Sequence, residues 1–326
     1  MHMADALVSP AVGVTMAAVS VGAIAYSVVK MKKEEDFDEK KVPLMAVSGA
    51  FVFAAQMINF TIPGTGSSGH IGGGILLSAL LGPYPALLTI SAVLLIQCLF
   101  FADGGLLALG CNIFNMGVLP CLFAYPLIFR PIAGNMLSNG RIMAASVAAA
   151  VIGLQAGAFG VVLETSASNV TALPFGTFVL LMQPIHLAIG TVEGIVTGMV
   201  LVFVRSMRPE ILKSSSEKKS LGGVSIKKTI IVFSAAALIM AGIFSIFASS
   251  FPDGLEWAME KTAGTAELAN NGAFKDVAGS LQGQTAFMPD YDSGAAGIVG
   301  GLITIALTGI AGTIIYLVKR KRTCKA

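Results

Sequence analysis

Apolar runs as long as the ~20 residues a helix needs to cross a bilayer follow one another along this chain with hardly a charge inside them. Of 326 residues, 55% are hydrophobic and only 12% charged, against about 25% charged in an ordinary soluble domain. A soluble enzyme, a secreted disulfide scaffold and a disordered chain are thereby excluded. A β-barrel would alternate apolar and polar residues in ~10-residue segments, which this sequence does not do. The expected fold class is an all-α, polytopic membrane helical bundle.

Nine apolar segments are expected: 9–29, 43–60, 70–82, 86–101, 106–129, 142–165, 174–204, 229–250 and 294–318. The third is short and glycine-rich, and Gly82-Pro83-Tyr84-Pro85 breaks it from the fourth. Such an interrupted segment marks irregular backbone that lines a site rather than facing lipid. Nineteen of the 21 basic residues fall in four stretches, 30–41, 130–141, 205–228 and 319–326. Nine crossings put all four on one face, which the positive-inside rule makes cytoplasmic, with the N-terminus outside. No basic n-region precedes the first apolar run, so no signal peptide is expected there.

Seven spans over 1–205 are followed by a polar, Ser-rich linker, 206–228, and a two-span hairpin over 229–326. The hairpin encloses an extracytoplasmic loop, 251–293, where Asp253, Glu256, Glu260, Glu267, Asp276, Asp290 and Asp292 face only Lys261 and Lys275. That excess attracts cations weakly at physiological ionic strength, but its acids show no metal-ligand spacing. Cys98, Cys111 and Cys121 lie in apolar runs and Cys324 in the basic tail, as free thiols would.

Chemistry concentrates on three histidines. In position 2, a histidine permits a particular chelate: the Met1 α-amine, the His2 amide nitrogen and its Nδ1 close fused five- and six-membered rings around one ion, with His70 as fourth ligand. An all-nitrogen tetragonal site favours Ni(II) or Cu(II), with Co(II) a softer choice. Because an α-amine titrates near pH 8, metal must displace protons there. The bland alternative is a frayed terminus and a hydrogen-bonded loop histidine. His186 and Glu193 are intramembrane and seven residues apart, on one helical face; they form either a functional pair or an interhelical bond. Asn112 and Asn115, like Gln56 and Gln155, need buried partners; the asparagines read equally as supports for the external loop or as plain clamps. No G-x-x-x-x-G-K-[ST] motif occurs, so ATP hydrolysis is not expected of this chain.

The opening Met1-His-Met-Ala-Asp-Ala-Leu-Val-Ser-Pro10, Ser68-Gly-His-Ile-Gly-Gly73, Asn112-Ile-Phe-Asn-Met116 and Pro184-Ile-His-Leu-Ala-Ile-Gly-Thr-Val-Glu-Gly194 resemble the CbiM/NikM family. These are the substrate-specific components of cobalt and nickel energy-coupling-factor transporters. Phe251-Pro-Asp-Gly-Leu-Glu256 is similar to the PDGLE domain and to the small CbiN/NikN subunits. The resemblance implies a square-planar metal site at Met1, His2 and His70, and partners in a membrane coupling subunit and separate ATPases. It does not separate nickel from cobalt. The competing expectations are a proton-coupled secondary metal transporter using His186 and Glu193, and a metal sensor that moves no cargo.

Overall fold

The computed structural model describes residues 1–34, 37–135, 138–170, 173–217, 220–221, 226–242, 247–266, 268, 272–291 and 295–323. Glu267, Asp292, Cys324 and part of the expected linker lie outside them.

Among the described residues, six helices are long and apolar enough to cross a membrane: Pro10–Lys33 (α1), Pro83–Phe101 (α4), Leu109–Ala133, Asn139–Ser168 (α7), Phe175–Met207 (α8) and Ala296–Lys321. The last belongs to α13, Ala296–Thr323. The remaining apolar segments form shorter helices: Lys41–Gln56 (α2), Gly74–Leu81 (α3) and Ile226–Gly242 (α10). At eight residues α3 cannot span the ~30 Å core at 1.5 Å per residue, and every one of its residues is buried. Its preceding glycine-rich loop is the irregular backbone that the sequence places there.

Local chemistry explains the helix ends. At α1, the Ser9 hydroxyl accepts the Val12 amide at 3.4 Å, Pro10 opens the first turn, and Lys30, Lys32 and Lys33 fill the last. From Leu109 the helix continues over Phe114–Phe129 as the wider π form, with Pro120 and Pro126 inside; a ring without an N–H cannot complete the ordinary ladder. On α8, Gly190, Gly194 and Gly198 recur every fourth residue against the α7 backbone. A methyl on Gly190 would lie 3.0 Å from Val151 Cα, and one on Gly194 would overlap Val147. Small residues at this period let two membrane helices pack backbone to backbone. Gln155 and Gln183 tie the same pair, with Gln155 Nε2 donating to the Gln183 carbonyl at 2.7 Å.

A two-stranded antiparallel hairpin departs from the all-helical expectation: β1 (Phe60–Ile62) pairs with β2 (Ser67–Gly69) in the register Phe60–Gly69, Thr61–Ser68 and Ile62–Ser67. Its outer edge is occupied by the chain far downstream. The Ser68 amide donates to the Pro252 carbonyl at 2.8 Å, and the Ser68 hydroxyl to the Phe251 carbonyl at 2.7 Å. Two short helices, Gly254–Ala263 (α11) and Ala273–Thr285 (α12), follow. Lys275 Nζ reaches the Ala6 carbonyl at 3.4 Å, and Gln282 Nε2 the Gly104 carbonyl at 2.7 Å. The C-terminal segment thus lies directly over the N-terminal tip. Cys98, Cys111 and Cys121 are buried and free.

Candidate metal-capture site

The first eight residues do not fray. Met1 is 5% exposed, and Met3, Leu7 and Val8 are fully buried. Asn112 holds the tip at two points, its Oδ1 accepting the Met3 amide at 2.8 Å and its Nδ2 donating to the Met3 carbonyl at 3.1 Å. Gly105 N–H donates to the same carbonyl at 2.9 Å, and Asp5 Oδ1 accepts the Ala108 amide at 3.0 Å. Asn112 therefore fastens the N-terminal tip rather than the external loop that carries His70. Asn115 serves otherwise: its Nδ2 donates to Glu164 Oε2 at 2.7 Å, bridging to α7.

Held in this way, the chain's first nitrogen lies 3.2 Å from His70 Nε2. His70 Nδ1 donates to the Ile71 carbonyl at 3.2 Å, so Nε2 carries a bare lone pair toward the amine. The two imidazoles stack, with ring centroids 5.1 Å apart. Around His2, Gln97 Oε1 lies 3.2 Å from Nε2 and Asp103 Oδ1 lies 3.1 Å from Nδ1. Each neighbour suits one neutral tautomer. Donation from Nε2 to Gln97 leaves Nδ1 bare, whereas donation from Nδ1 to Asp103 occupies it.

The loop after His70 is gripped from two helices. Gln56 Nε2, at the end of α2, donates to the Gly72 carbonyl at 2.7 Å. Glu193, 3% exposed on α8, accepts the Gly73 amide at 3.0 Å. Gly73 has φ +79° and sits against Val52, a conformation and a closeness that suit glycine. His186 makes no bond to Glu193: its Nδ1 donates to the Met182 carbonyl at 2.8 Å, and its Nε2 has no partner.

Asp253 is placed by sequence reasoning only among the acids of the 251–293 loop, with no part given to it at the N-terminal tip. Its Oδ2 forms an ion pair with the Met1 ammonium, while Oδ1 accepts the Leu255 and Glu256 amides at 2.8 and 2.9 Å, capping α11. Burial is the largest single influence on the Asp253 carboxyl and works to raise it, but the Met1 ammonium, His70 and the Glu256 amide together overcome it and hold the group below the usual carboxylate range. Burial, aided by that ammonium and by His2, pushes the His70 imidazole down to about 3. Burial lowers His2 as well, against the pull of Asp103. Both rings are thus neutral at physiological pH, as metal ligands must be.

His2, His70, Asp103, Asp253 and Glu256 line a vestibule of about 410 Å³. Among the described residues, no group of three or more His, Cys, Asp or Glu side chains is arranged to hold a metal ion. A set of two imidazoles and two main-chain nitrogens is a different kind of donor group.

Residues 2–211 match the family model described as the cobalt uptake substrate-specific transmembrane region, and residues 227–317 match the PDGLE domain. A protein of Archaeoglobus fulgidus predicted to be a fused nickel transport protein, NikMN, is 32% identical over 319 residues, covering 97% of this chain and 96% of its own. The cobalt transport protein CbiM of Sorangium cellulosum is 32% identical over 58% of this chain and 84% of its own. A crystal structure of a transition metal transporter superposes with a TM-score of 0.56 at 30% identity, over 66% of this chain and 98% of the other.

Proposed function

Since the chain belongs to the CbiM family of cobalt uptake substrate-specific transmembrane proteins and carries a PDGLE domain, we propose that it is the substrate-capturing membrane component of an ATP-driven energy-coupling-factor importer for nickel or cobalt. The divalent ion is its cargo. The ligands are the Met1 amine, the His2 amide nitrogen, His2 Nδ1 and His70 Nε2. The single observation that carries this reading is the approach of the first nitrogen to His70 Nε2, at 3.2 Å and inside the bundle. A disordered terminus would not produce it.

Gln97 accepts the Nε2 proton of His2 and so selects the tautomer with Nδ1 bare, while Asn112, Gln56 and Glu193 orient the backbone that carries the ligands. As the ion binds, the Met1 ammonium and the His2 amide release protons, and Asp253 loses its cationic partner to the ion. Neutral imidazoles spare the site any further proton release. A membrane coupling subunit and separate ATPases supply the driving force in this reading. The basic stretches support nine crossings with the N-terminus outside, the third made by the short helix α3 together with the buried non-helical backbone of 67–73 before it. The chain then divides into a seven-span unit over 1–205, a linker over 206–228 and a two-span PDGLE module over 229–326.

One residue added before Met1, or acetylation of the amine, leaves every side chain in place but removes a ligand. Nickel and cobalt titrations of the purified full chain should show binding lost in the extended form and in His2→Ala and His70→Ala. Unchanged binding by the extended form would refute the chelate. Uptake that needs ATP and co-purifying subunits supports the importer. Uptake by this chain alone, abolished by a protonophore, supports a proton-coupled carrier instead.

A further inference from the structure

Adjoining the vestibule, with His70 and Asp253 as shared walls, is a small cavity of about 10 Å³, and a second of the same volume lies next to it; each has room for about one water-sized guest. Met1, His70, Asp253 and His186 all contribute to the first. The second is walled in part by Asn115 and Glu193, and the two share Gly72, Met116 and Leu154 as common walls. A small guest leaving the amine and His70 therefore has an adjoining place to go, beside His186.

His186 stands at that place. It is 1% exposed, in the middle of α8. Its Nδ1 lies 2.8 Å from the Met182 carbonyl, and a carbonyl can only accept, so Nδ1 carries the proton. Nε2 is then an unprotonated lone pair, buried and without a partner. Leaving a buried acceptor unsatisfied costs about 1–3 kcal/mol, a cost that a resident guest would offset. An imidazole whose other nitrogen donates to a main-chain carbonyl is also the usual arrangement of a metal-ligating histidine. Gly254 seals the ring from above: a methyl there would lie 3.1 Å from His186 Cε1 and 2.9 Å from Ile189 Cδ1. Glycine at this position lets the Asp253–Gly254 segment descend onto the histidine.

We propose that His186 Nε2 is a transient second ligand for the transported ion, accepting it from the Met1–His2–His70 site as it moves inward. This rests on the capture reading above. The step is a ligand exchange: the bond from the metal to Nε2 forms as those to the amine and amide nitrogens break, and these two nitrogens recover their protons from water in the vestibule. The metal keeps its oxidation state.

The test compares His186→Gln and His186→Asn, which keep a polar side chain but offer a poor ligand, with His186→Cys, whose thiolate is itself a metal ligand. Radioactive nickel uptake is measured in cells carrying the complete transporter, and nickel affinity on each purified full chain. The expected result is capture affinity within about twofold of wild type for all three, which also certifies folding. Uptake should be lowered at least about tenfold in the Gln and Asn forms, the scale on which support for a metal ligand matters, and substantially restored in the Cys form. Wild-type uptake by the Gln and Asn forms would overturn the proposal in favour of a structural water. Equal loss in all three would overturn it in favour of packing, and affinity that falls in step with uptake would make His186 part of the capture site itself. Failure of the capture reading is seen separately, as nickel binding by the N-terminally extended chain.

Discussion

Asp253 closes an ion pair on the ammonium of Met1, joining residues 252 positions apart in the chain. The same carboxylate caps α11, so one side chain fastens both the N-terminal tip and the start of the PDGLE helix.

Those two roles separate by substitution. Asp253→Asn keeps an acceptor for the Leu255 and Glu256 amides but loses the charge, whereas Asp253→Ala loses both, at about 1 kcal/mol more for the cap. In detergent, the Ala form should therefore melt below the Asn form. Both should label faster than wild type at the Met1 amine with an amine-selective ester, read by peptide mass spectrometry. Labelling at the wild-type rate would mean that the ion pair does not hold the tip.

Acid should loosen the site. His70 is held at about 3 in the fold, against about 6.5 for an unperturbed histidine. The unfolded chain therefore binds more protons between these values, and stability present above about 6.5 is lost as pH falls toward 3. The charges that face His70 are the Met1 ammonium and His2, which deepen the effect, and Asp253 and Asp103, which oppose it. Each pH unit below about 6 should remove on the order of 1.4 kcal/mol. Melting temperature against pH should flatten in this range in His70→Gln.

The grip on the loop after His70 should be felt in metal affinity. Glu193→Ala strands the Gly73 amide and Gln56→Ala the Gly72 carbonyl, so both should weaken nickel binding by about 10–100-fold. Glu193→Gln, which still offers an acceptor oxygen, should retain much of it. Calorimetric titration separates the three.

Where α7 and α8 meet, Gly194→Ala places a methyl on the Val147 backbone. Helices packed this closely cannot absorb it without moving apart. A lowered melting temperature is expected, with a larger drop than for Gly176→Ala, which has open space around it.

What could be read from residues alone followed from local signals. Unbroken apolar runs announced the long helices, the glycine-rich 69–73 stretch announced irregular backbone, and a histidine at position 2 carried its own chelate geometry. The meeting of His2 with His70, whose rings stack, was legible because the chain has few other histidines to bring together. Asp253, Asp103 and Gln97 were not, since each is a common residue type brought to the tip from a distant part of the chain. The Ser68–Pro252 pairing was hidden for the same reason: the edge of a three-residue strand has no periodicity to betray its partner. Glu193 was noticed, with a functional pairing to His186 and a structural bond as its two readings; the bond it makes is to the Gly73 amide, and a backbone amide leaves no mark in sequence.

The vestibule at the tip holds about 410 Å³, whereas the two voids beside His186 and Glu193 hold about 10 Å³ each. In the capture reading proposed above, an ion leaving the tip must shed its hydration water to enter either void, so onward passage requires the helices around His186 and Glu193 to part.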